Sequence, residues 1–573
     1  MSARLSKEVS RTSTGRTRSV EIDERQIDAV FAELNQGQLP GVAVGIALHG
    51  KPVYRKGFGL ANMELPVLLS PTIRMRIGSV TKHFTAFAYM LLCEEGRASV
   101  DDTIVKYLPE LHPVTHSITL RQLMGHTSGL RDASDIRFRF GGFEGRPVSC
   151  DELLRLYRTL DDVDTPPGTA WMYNNGGYML LSAIIERITG QDLGEVLRAR
   201  IFAPIGMNDT LLRRWDTDFV PNSATSHTMS SSGTFEKRYW GLDFAGAGGM
   251  VSTVDDLLRW LAHMDAPLVG TARTWTAMKA PHTLTNGTST DYGLGLILGG
   301  YRGLKTIHHG GGWIGGNAQL LKIPEVGLDI VIIANRADAF APVLANRILD
   351  RCVAGLEPLE EGFKGPTHTE AFALLRIRGD DSSSSERPGK ATLASTFVTG
   401  AFRSRTTGRV VQLFGKEGRQ IVSIDGHDLP YARCADDVFR PIPIWSFIKR
   451  FVSLKGSPSS PTAIELSDFG TVDELAPLER VEEPDVGKVI GYYRSETTAT
   501  DISIYLAETG PRMCTRGPYG SMDYALECLT DGVWRANSLL SIFLDCIVSF
   551  DEVHEQFRLS SYNTRMLPFR RVR

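Results

Sequence analysis

Long apolar runs are missing from this sequence of 573 residues. Its amino terminus, MSARLSKEVSRTSTGRTRS, is basic and rich in serine, but no apolar segment follows it, so it does not resemble a secretory signal. No apolar run approaches the roughly 18 residues that a membrane-spanning helix requires. We therefore expect a disordered tail at residues 1–20, no membrane partner and a cytoplasmic location.

Paired cysteines and a strong net charge are missing as well. The seven cysteines are scattered, their number is odd and no CxxC motif occurs, so neither a disulfide framework nor a zinc site is predicted. Lysine and arginine number 63 against 66 aspartates and glutamates, a formal net charge of −3, which argues against nucleic acid as a partner. We expect reduced thiols, no metal and no cofactor.

The chain divides at a polar segment rich in helix breakers, GDDSSSSERPG at residues 379–389, which is typical of a linker. Before it, β-like runs at residues 41–48 and 328–335 (GVAVGIAL and LDIVIIAN) flank a long helical middle. Strands at both ends with helices between them predict an α/β domain with an inserted all-α region. The predicted boundaries are a tail at 1–20, this domain at 21–356, a linker at 357–390 and two further domains at 391–483 and 484–573.

Short β-like runs dominate the sequence after the linker, and they repeat. Residues 400–404 (GAFRS) resemble residues 491–495 (GYYRS), and residues 477–481 (PLERV) resemble residues 568–572 (PFRRV), both at an offset of 91. A third pair, VFR at 438–440 and VWR at 533–535, stands between them at an offset of 95. The shared order predicts two duplicated small antiparallel β-barrels or sandwiches.

Ser79 and Lys82 form a Ser-x-x-Lys motif ahead of a helical run (HFTAFAYMLLCEEG). Residues three apart lie on one helix face, so Lys82 is expected beside Ser79. A serine hydroxyl becomes a good nucleophile when a neighbouring group removes its proton, and a lysine can do so when burial lowers its pKa. The motif is common by chance, and a capping serine with a surface lysine is the structural alternative.

Two further segments carry groups suited to the same chemistry. Tyr173 and Asn175 are separated by one residue in a turn before a helix (WMYNNGGY); a tyrosine can carry a proton and an asparagine can donate to a carbonyl. The segment IHHGGGWIGG follows later, where glycines permit close backbone approach and strand alternation lets only one of His308 and His309 face a site. Taken singly, turn chemistry and a structural histidine remain the alternatives.

In order and approximate spacing, Ser79-x-x-Lys82, Tyr173-x-Asn175 and His309-x-Gly311 resemble the three motifs of penicillin-recognising serine hydrolases. Three other segments resemble the same superfamily: LMGHTSGL at 123–130, IFAPIGM at 201–207 and GAGGMVST at 246–253. The resemblance covers about residues 20–355 and implies a class C β-lactamase-like fold. It implies an acyl-enzyme and these catalytic residues: Ser79 as nucleophile, Lys82 as base, Tyr173 as proton carrier, with Asn175 and His309 in support.

The resemblance also implies where a substrate is held. The backbone N–H groups of Ser79 and Gly312 would form the oxyanion hole. Gly310, Gly311 and Trp313 on the third motif would contact the substrate.

The β-rich tail makes the chain similar to bacterial serine D-aminopeptidases that carry two C-terminal β-barrels. In those enzymes the last barrel sends a loop into the catalytic cleft, and the similar stretch here is RGPYGSMDY at residues 516–524. The resemblance implies Asp523 as the partner of a substrate ammonium group, with Tyr519 stacking beside it. A surface turn with a solvated aspartate is the alternative.

Three functions stay open. β-Lactamases usually carry Lys-Thr-Gly at the third motif, whose cation holds a substrate carboxylate; the neutral imidazole of His309 disfavours β-lactamase and carboxypeptidase activity. A D-stereospecific aminopeptidase or amidase is the leading prediction, an esterase or lactonase acting on a small acyl substrate is the second, and a catalytically silent penicillin-binding or sensor protein is the third. The expected partner is a small molecule or short peptide, and a homodimer is left open.

Overall fold

The computed structural model describes residues 5–11, 17–35, 37–142, 146–230, 233–358, 397–416, 418–434, 437–442, 449–538 and 544–572. An α/β domain precedes two β-barrels. The helices are α1 (Glu24–Val30), α2 (Thr81–Glu94), α3 (Leu120–Met124), α4 (Ala133–Gly141), α5 (Cys150–Leu156), α6 (Asn175–Thr189), α7 (Leu193–Leu197), α8 (Ala203–Ile205), α9 (Val254–His263), α10 (Ala272–Met278) and α11 (Ala341–Cys352).

Sixteen of the described strands belong to the α/β domain, and six of them form its main antiparallel sheet, in the order β12-β13-β14-β15-β3-β4. They are β1 (Leu5–Arg11), β2 (Thr17–Ile22), β3 (Val42–Leu48), β4 (Lys51–Phe58), β5 (Leu60–Asn62), β6 (Val67–Leu68), β7 (Met75–Arg76), β8 (Leu211–Leu212), β9 (Thr228–Met229), β10 (Phe235–Glu236), β11 (Met250–Ser252), β12 (Ile297–Tyr301), β13 (Leu304–Trp313), β14 (Gly316–Ile323), β15 (Leu328–Ala334) and β16 (Val353–Ala354).

The main sheet joins the two ends of the domain, as the sequence predicts. β15 pairs with β3 along its whole length, from Leu328 opposite Leu48 to Ala334 opposite Val42. Alternate residues of β15 pack on opposite faces: Val331 belongs to the core under the helical region, and Ile332 to the core beneath α1 and α11. Burial on both faces explains why this strand is a continuous apolar run.

Helix α2 runs through the centre of the helical region, and all its residues from Thr81 to Leu92 are buried. A helix that is buried on every face must be enclosed by other elements. Helices α6 and α10 pack against α2. The Lys82 side chain is therefore buried from its Cα outward, because it belongs to the first turn of a fully enclosed helix.

The two predicted β-barrels are confirmed as closed antiparallel barrels of eight strands each. The first contains β17 (Gly400–Ser404), β18 (Val410–Lys416), β19 (Arg419–Ile424), β20 (His427–Arg433), β21 (Val438–Pro441), β22 (Arg450–Ser457), β23 (Ser460–Asp468) and β24 (Thr471–Pro477). The second contains β25 (Gly491–Ser495), β26 (Thr500–Ala507), β27 (Gly510–Gly517), β28 (Gly520–Thr530), β29 (Val533–Ser538), β30 (Cys546–Phe550), β31 (Gln556–Ser560) and β32 (Leu567–Arg571).

The sequence repeat corresponds to equivalent strands of the two barrels. GAFRS and GYYRS are the first strands, β17 and β25. VFR and VWR lie in the fifth strands, β21 and β29. Of the pair PLERV and PFRRV, the first begins at the last residue of the eighth strand β24, and the second lies mostly within the eighth strand β32. The near-constant offset therefore reflects two copies of one strand order.

Strand β2 (Thr17–Ile22) overlaps the last residues of the predicted tail at 1–20. Strand β2 pairs with β16 at the end of the α/β domain, and its Val20 and Ile22 are buried. Arg18 forms an ion pair with Glu325 and donates a hydrogen bond of 2.6 Å to the backbone oxygen of Gly303. Two buried apolar side chains and a paired cation thus attach residues 18–22 to the α/β domain.

The predicted linker at 357–390 lies almost wholly outside the described residues, which exclude 359–396. The seven cysteines all carry free thiols. Among the helices of the described ranges, none is both long and apolar enough to cross a lipid bilayer.

Candidate active site

Ser79 lies in a single 3-10 turn (Gly78–Val80) that leads directly into α2, and Lys82 is the second residue of that helix. The Lys82 side chain is buried, with Nζ 3.1 Å from Ser79 Oγ. Lys82 Nζ also donates to the backbone oxygen of Ala247 at 2.7 Å and to Asn175 Oδ1 at 2.8 Å. The serine and lysine predicted from the motif are therefore in contact.

The contacts of Lys82 suit a neutral amine. Burial lowers the pKa of Lys82 well below its ordinary value, and the negative charge of Asp132 only opposes this shift. A neutral amine has two N–H groups and one lone pair. The two shortest contacts are to oxygens that only accept, and the third is to the Ser79 hydroxyl, which can donate. This arrangement leaves the lone pair of Lys82 for the proton of Ser79.

Tyr173 lies beside Lys82, with its ring centroid 4.7 Å from Nζ. Its hydroxyl is buried, and burial raises the pKa of Tyr173, while the nearby Ser79 hydroxyl opposes the rise and Asp132 adds to it. A phenolate would need a cation beside it, and the lowered pKa of Lys82 disfavours that cation. Tyr173 is therefore protonated at rest, which suits a proton carrier better than a base.

Asp132 fixes the start of α6 and was not predicted from the sequence. Its carboxylate accepts hydrogen bonds from the backbone N–H of Asn175 at 2.9 Å and of Gly176 at 3.1 Å, and from the hydroxyl of Ser134 at 2.7 Å. Burial raises the pKa of Asp132, and these hydrogen bonds oppose the rise. The signal was present in the sequence, because Asp132 comes two residues after the end of the family-like segment LMGHTSGL.

The glycines of β13 let this strand approach the Ser79 turn. A Cβ on Gly311 would lie 1.8 Å from the backbone oxygen of Ile77, and one on Gly78 would lie 2.5 Å from that of Gly312. Gly78 also has φ +51°, which favours glycine. Ser79 and Gly312 consequently line the same cleft, the placement that a shared oxyanion hole requires.

His309 is not among the described residues that line the cleft, although its ring centroid lies 6.2 Å from that of Tyr173, and its catalytic role stays a prediction. Its Nδ1–H donates to the backbone oxygen of Gly310 at 2.6 Å, and its Nε2 accepts from the hydroxyl of Tyr292 at 2.9 Å. Burial lowers the pKa of His309 well below its ordinary value, and the neighbouring His83 and Lys82 lower it further. The His309 ring is therefore buried and neutral, and both of its nitrogens are engaged by protein groups.

Ser79 opens into a cleft of about 470 Å³. Its described lining includes two carboxylates and one guanidinium, those of Asp132, Asp135 and Arg139, and a group of large apolar side chains. Both barrels contribute to the lining. Their residues are His427 from the first barrel and Leu544, Tyr562 and Asn563 from the second.

Comparison with known proteins agrees with this geometry. Residues 27–354 match the protein family Beta-lactamase. The chain belongs to the Beta-lactamase family. This Beta-lactamase-family chain is a serine hydrolase, as its three motifs predict.

Two relatives of this Beta-lactamase-family chain are named D-aminopeptidase. One, from Gluconobacter oxydans, is 27% identical over 367 residues, 63% of this chain and 67% of the relative. Another, from Cereibacter sphaeroides, is 28% identical over 364 residues, 63% of this chain and 69% of the relative. The octameric penicillin-binding protein homologue of Pyrococcus abyssi shares the fold at 22% identity, with a TM-score of 0.54 over 79% of this chain and 98% of that one.

Asp523, the predicted ammonium partner on the hairpin at 516–524, is not among the described residues that line the cleft. Asp523 lies on β28 between the buried Met522 and Tyr524, so strand alternation turns it outward to solvent. Tyr519 packs against Gly141 at the end of α4 instead. Of the remaining predicted substrate contacts, Trp313 lines the cleft, whereas Gly310 and Gly311 are not part of its described lining.

Proposed function

We propose that this enzyme is a D-stereospecific aminopeptidase or amidase, which hydrolyses an amide bond next to a residue with a free amino group. The observation that carries the proposal is the charge of the cleft. Among its described lining residues, two carboxylates stand against the one guanidinium of Arg139. Burial lowers the pKa of His427 to about 4, so this side chain adds no positive charge near neutral pH. Such a cleft favours an ammonium group over a carboxylate.

Asp135 is the carboxylate placed to receive that ammonium group. Arg139 donates to both of its oxygens, from Nη2 to Oδ1 at 2.9 Å and from Nε to Oδ2 at 3.1 Å, and Thr564 Oγ1 donates to Oδ2 at 2.8 Å. The second barrel thus helps to hold the carboxylate in position at the cleft. An ammonium group gains a charge-assisted hydrogen bond there, in a site from which water is partly excluded.

The third motif supports the same choice of substrate. His309 is neutral and buried where a lysine would offer a cation to a substrate carboxylate. The two relatives named D-aminopeptidase cover this chain over 63% of its length. A substrate with an amino group, rather than a carboxylate, beside the reacting carbonyl therefore suits this cleft.

In the proposed reaction, Ser79 Oγ attacks the amide carbon while its proton passes to Lys82 Nζ. The oxyanion accepts hydrogen bonds from the backbone N–H groups of Ser79 and Gly312. When the C–N bond breaks, Tyr173 passes the proton from Lys82 to the departing amine. Water then attacks the acyl ester and gives a proton to Lys82, which returns it to Ser79 as the carboxylic acid leaves.

A panel of D- and L-amino-acid p-nitroanilides, measured beside p-nitrophenyl esters, tests the proposal. We expect release of p-nitroaniline from D-substrates, much slower release from L-substrates, and none above background from Ser79→Ala. Turnover of esters without any D-anilide would replace the proposal by the esterase or lactonase function. Absence of turnover with both substrate kinds would favour the silent penicillin-binding or sensor function.

A further inference from the structure

Four aromatic rings form one wall of the cleft, and the proposed reaction uses none of them. Phe138 comes from α4, Trp240 and Phe244 from the chain between β10 and β11, and Trp313 from the end of β13. Ring centroids lie 4.7 Å apart for Trp240 and Trp313, 5.4 Å for Phe244 and Trp313, and 5.6 Å for Phe138 and Trp240. We call these four residues the aromatic wall.

One buried carboxylate holds both tryptophans of the aromatic wall in place. Asp216 Oδ1 accepts from Trp313 Nε1 at 3.0 Å, and Asp216 Oδ2 accepts from the backbone N–H of Trp240 at 3.0 Å. Arg76 pairs with Asp216 at 2.8 Å and lies 4.2 Å above the Trp313 ring. A surface held in this way needs little rearrangement to bind a flat apolar group, so little binding energy is lost to ordering it.

The aromatic wall lies beside the two features that fix the rest of a substrate. Trp313 directly follows Gly312, whose N–H is placed for the oxyanion. Phe138 follows Asp135 by three residues on α4, a rise of about 4.5 Å along the helix. An acyl residue carries its amino group and its side chain on the same carbon, next to the carbonyl. The carboxylate and the ring surface line the same cleft as Ser79, so one substituent can be directed to each.

We propose that the aromatic wall is the subsite for the side chain of the acyl residue, and that it selects an aromatic side chain over a methyl group. A ring packs edge-to-face or offset against other rings and gains more than its buried area alone provides. A methyl group would leave most of the wall in contact with water. The placement of the substrate amino group at Asp135 rests on the proposed function. The preference of the aromatic wall for an aromatic side chain does not.

The test compares acyl groups at a constant leaving group. One series contains the p-nitroanilides of D-phenylalanine and D-alanine. The other contains p-nitrophenyl phenylacetate and p-nitrophenyl acetate. The enzymatic rate for each substrate is divided by the rate of its alkaline hydrolysis, which corrects for intrinsic reactivity. In every series that the enzyme hydrolyses, we expect kcat/KM to favour the ring over the methyl group by at least roughly tenfold. Because the leaving group is the same within a series, the preference belongs to the acyl side.

Variants connect the preference to the aromatic wall. Trp240→Ala and Phe138→Ala, which come from different elements, should each lower the ring-to-methyl ratio by at least roughly threefold, and Trp240→Leu should lower it less. Tyr239→Ala is the matched control, because it removes a neighbouring aromatic side chain that is 52% exposed and outside the described cleft lining. This control should keep the ratio of the unchanged enzyme.

The outcomes separate this inference from the proposed function. Cleavage of D-anilides at equal rates for ring and methyl would overturn the inference and leave the proposed function standing. Preference for phenylacetate without any cleavage of anilides would support the inference and overturn the proposed function. A ring-to-methyl ratio that Trp240→Ala and Phe138→Ala both leave unchanged would also overturn the inference, since the wall would then not cause it.

Discussion

Asp132 and Asn175 are joined by a hydrogen bond of 2.9 Å from the Asn175 backbone N–H to the Asp132 carboxylate. Asp132 also begins α4, where it accepts from the backbone N–H of Ser134 at 2.9 Å. One buried side chain therefore fixes the starts of two helices. Asn175 in turn accepts from Lys82, so the position of the proposed base depends on Asp132.

The first prediction is that Asp132→Asn lowers both stability and activity. An amide NH₂ would replace one carboxylate oxygen and face backbone N–H groups that lose their acceptor. We expect the free energy of unfolding to fall by about 1–3 kcal/mol and kcat/KM to fall by roughly 100-fold through misplacement of Asn175 and Lys82. Denaturant unfolding and steady-state kinetics measure the two effects.

Asp23→Asn is the control for this variant. Asp23 caps α1 at the protein surface, accepting from the backbone N–H of Arg25 at 2.9 Å, and asparagine caps an exposed helix about as well as aspartate. We expect little change in stability or rate. An Asp132→Asn enzyme as active and as stable as this control would show that Asp132 does not position the site.

The second prediction is that Ser79 carries the acyl group. After treatment with a fluorophosphonate or a slowly hydrolysed ester, mass spectrometry should find a single adduct on the peptide that contains Ser79. Ser79→Ala should lose the adduct and several orders of magnitude in kcat. Wild-type turnover by Ser79→Ala would refute the acyl-enzyme.

The third prediction concerns pH. Only the neutral form of Lys82 accepts the Ser79 proton, so kcat/KM should rise with pH through the lowered pKa of Lys82 and level off above it. Acidification below that pKa protonates Lys82 and removes activity. Lys82→Arg, which stays charged, should be nearly as damaging as Lys82→Ala. A pH–rate profile of each protein provides the measurement, and an active Lys82→Arg enzyme would transfer the base role to Tyr173.

The fourth prediction is that Asp135 binds the substrate ammonium group. Asp135→Asn removes the charge and keeps the shape, so KM for D-amino-acid p-nitroanilides should rise by roughly tenfold, as expected for loss of a hydrogen bond to a charged group. The corresponding N-acetyl substrates have no charge at this position and should be affected much less. Asp523→Asn removes a solvent-exposed carboxylate outside the described cleft lining and is the matched control. Equal effects on both substrate kinds would exclude Asp135 as the ammonium partner.

The fifth prediction is that the enzyme does not turn over nitrocefin at rates typical of a β-lactamase. His309 supplies no cation at the third motif, and Arg139 in the cleft is already held by Asp135. Slow acylation of Ser79 by penicillins is still expected, because it requires only the nucleophile and its base. Absorbance of nitrocefin measures turnover, and intact mass measures the adduct. Rapid nitrocefin hydrolysis would refute the argument from His309.

Much of the fold follows from local pattern. The hairpin of β3 and β4 turns at His49 and Gly50, which have φ +49° and +74°, as a two-residue turn after a β-like run predicts. The barrel repeat was visible because each copy keeps the same residues at the same strands. Local signals also placed Ser79 beside Lys82, since a spacing of three residues is a contact on any helix.

The cleft was predicted only in part. The family resemblance predicted that a loop of the second barrel enters the cleft, and it indicated the hairpin that contains Asp523. The described residues of that barrel that line the cleft are instead Leu544, Tyr562 and Asn563. Strand alternation at β28 decides the difference, because it turns Asp523 outward. The motif placed His309 on β13, but its hydrogen bond with the hydroxyl of Tyr292 depends on the packing beneath the strand.

The sequence by itself determined the family motifs, the order of the strands and helices, and the neighbours of Ser79 along α2, because each depends on residues close together in the chain. Only the tertiary structure decided that Asp135 meets Thr564 of the second barrel at 2.8 Å and that Asp216 holds Trp240 and Trp313 in one wall. These contacts join residues that are distant in sequence. Their formation depends on how the barrels and the helical region pack, which no local spacing records.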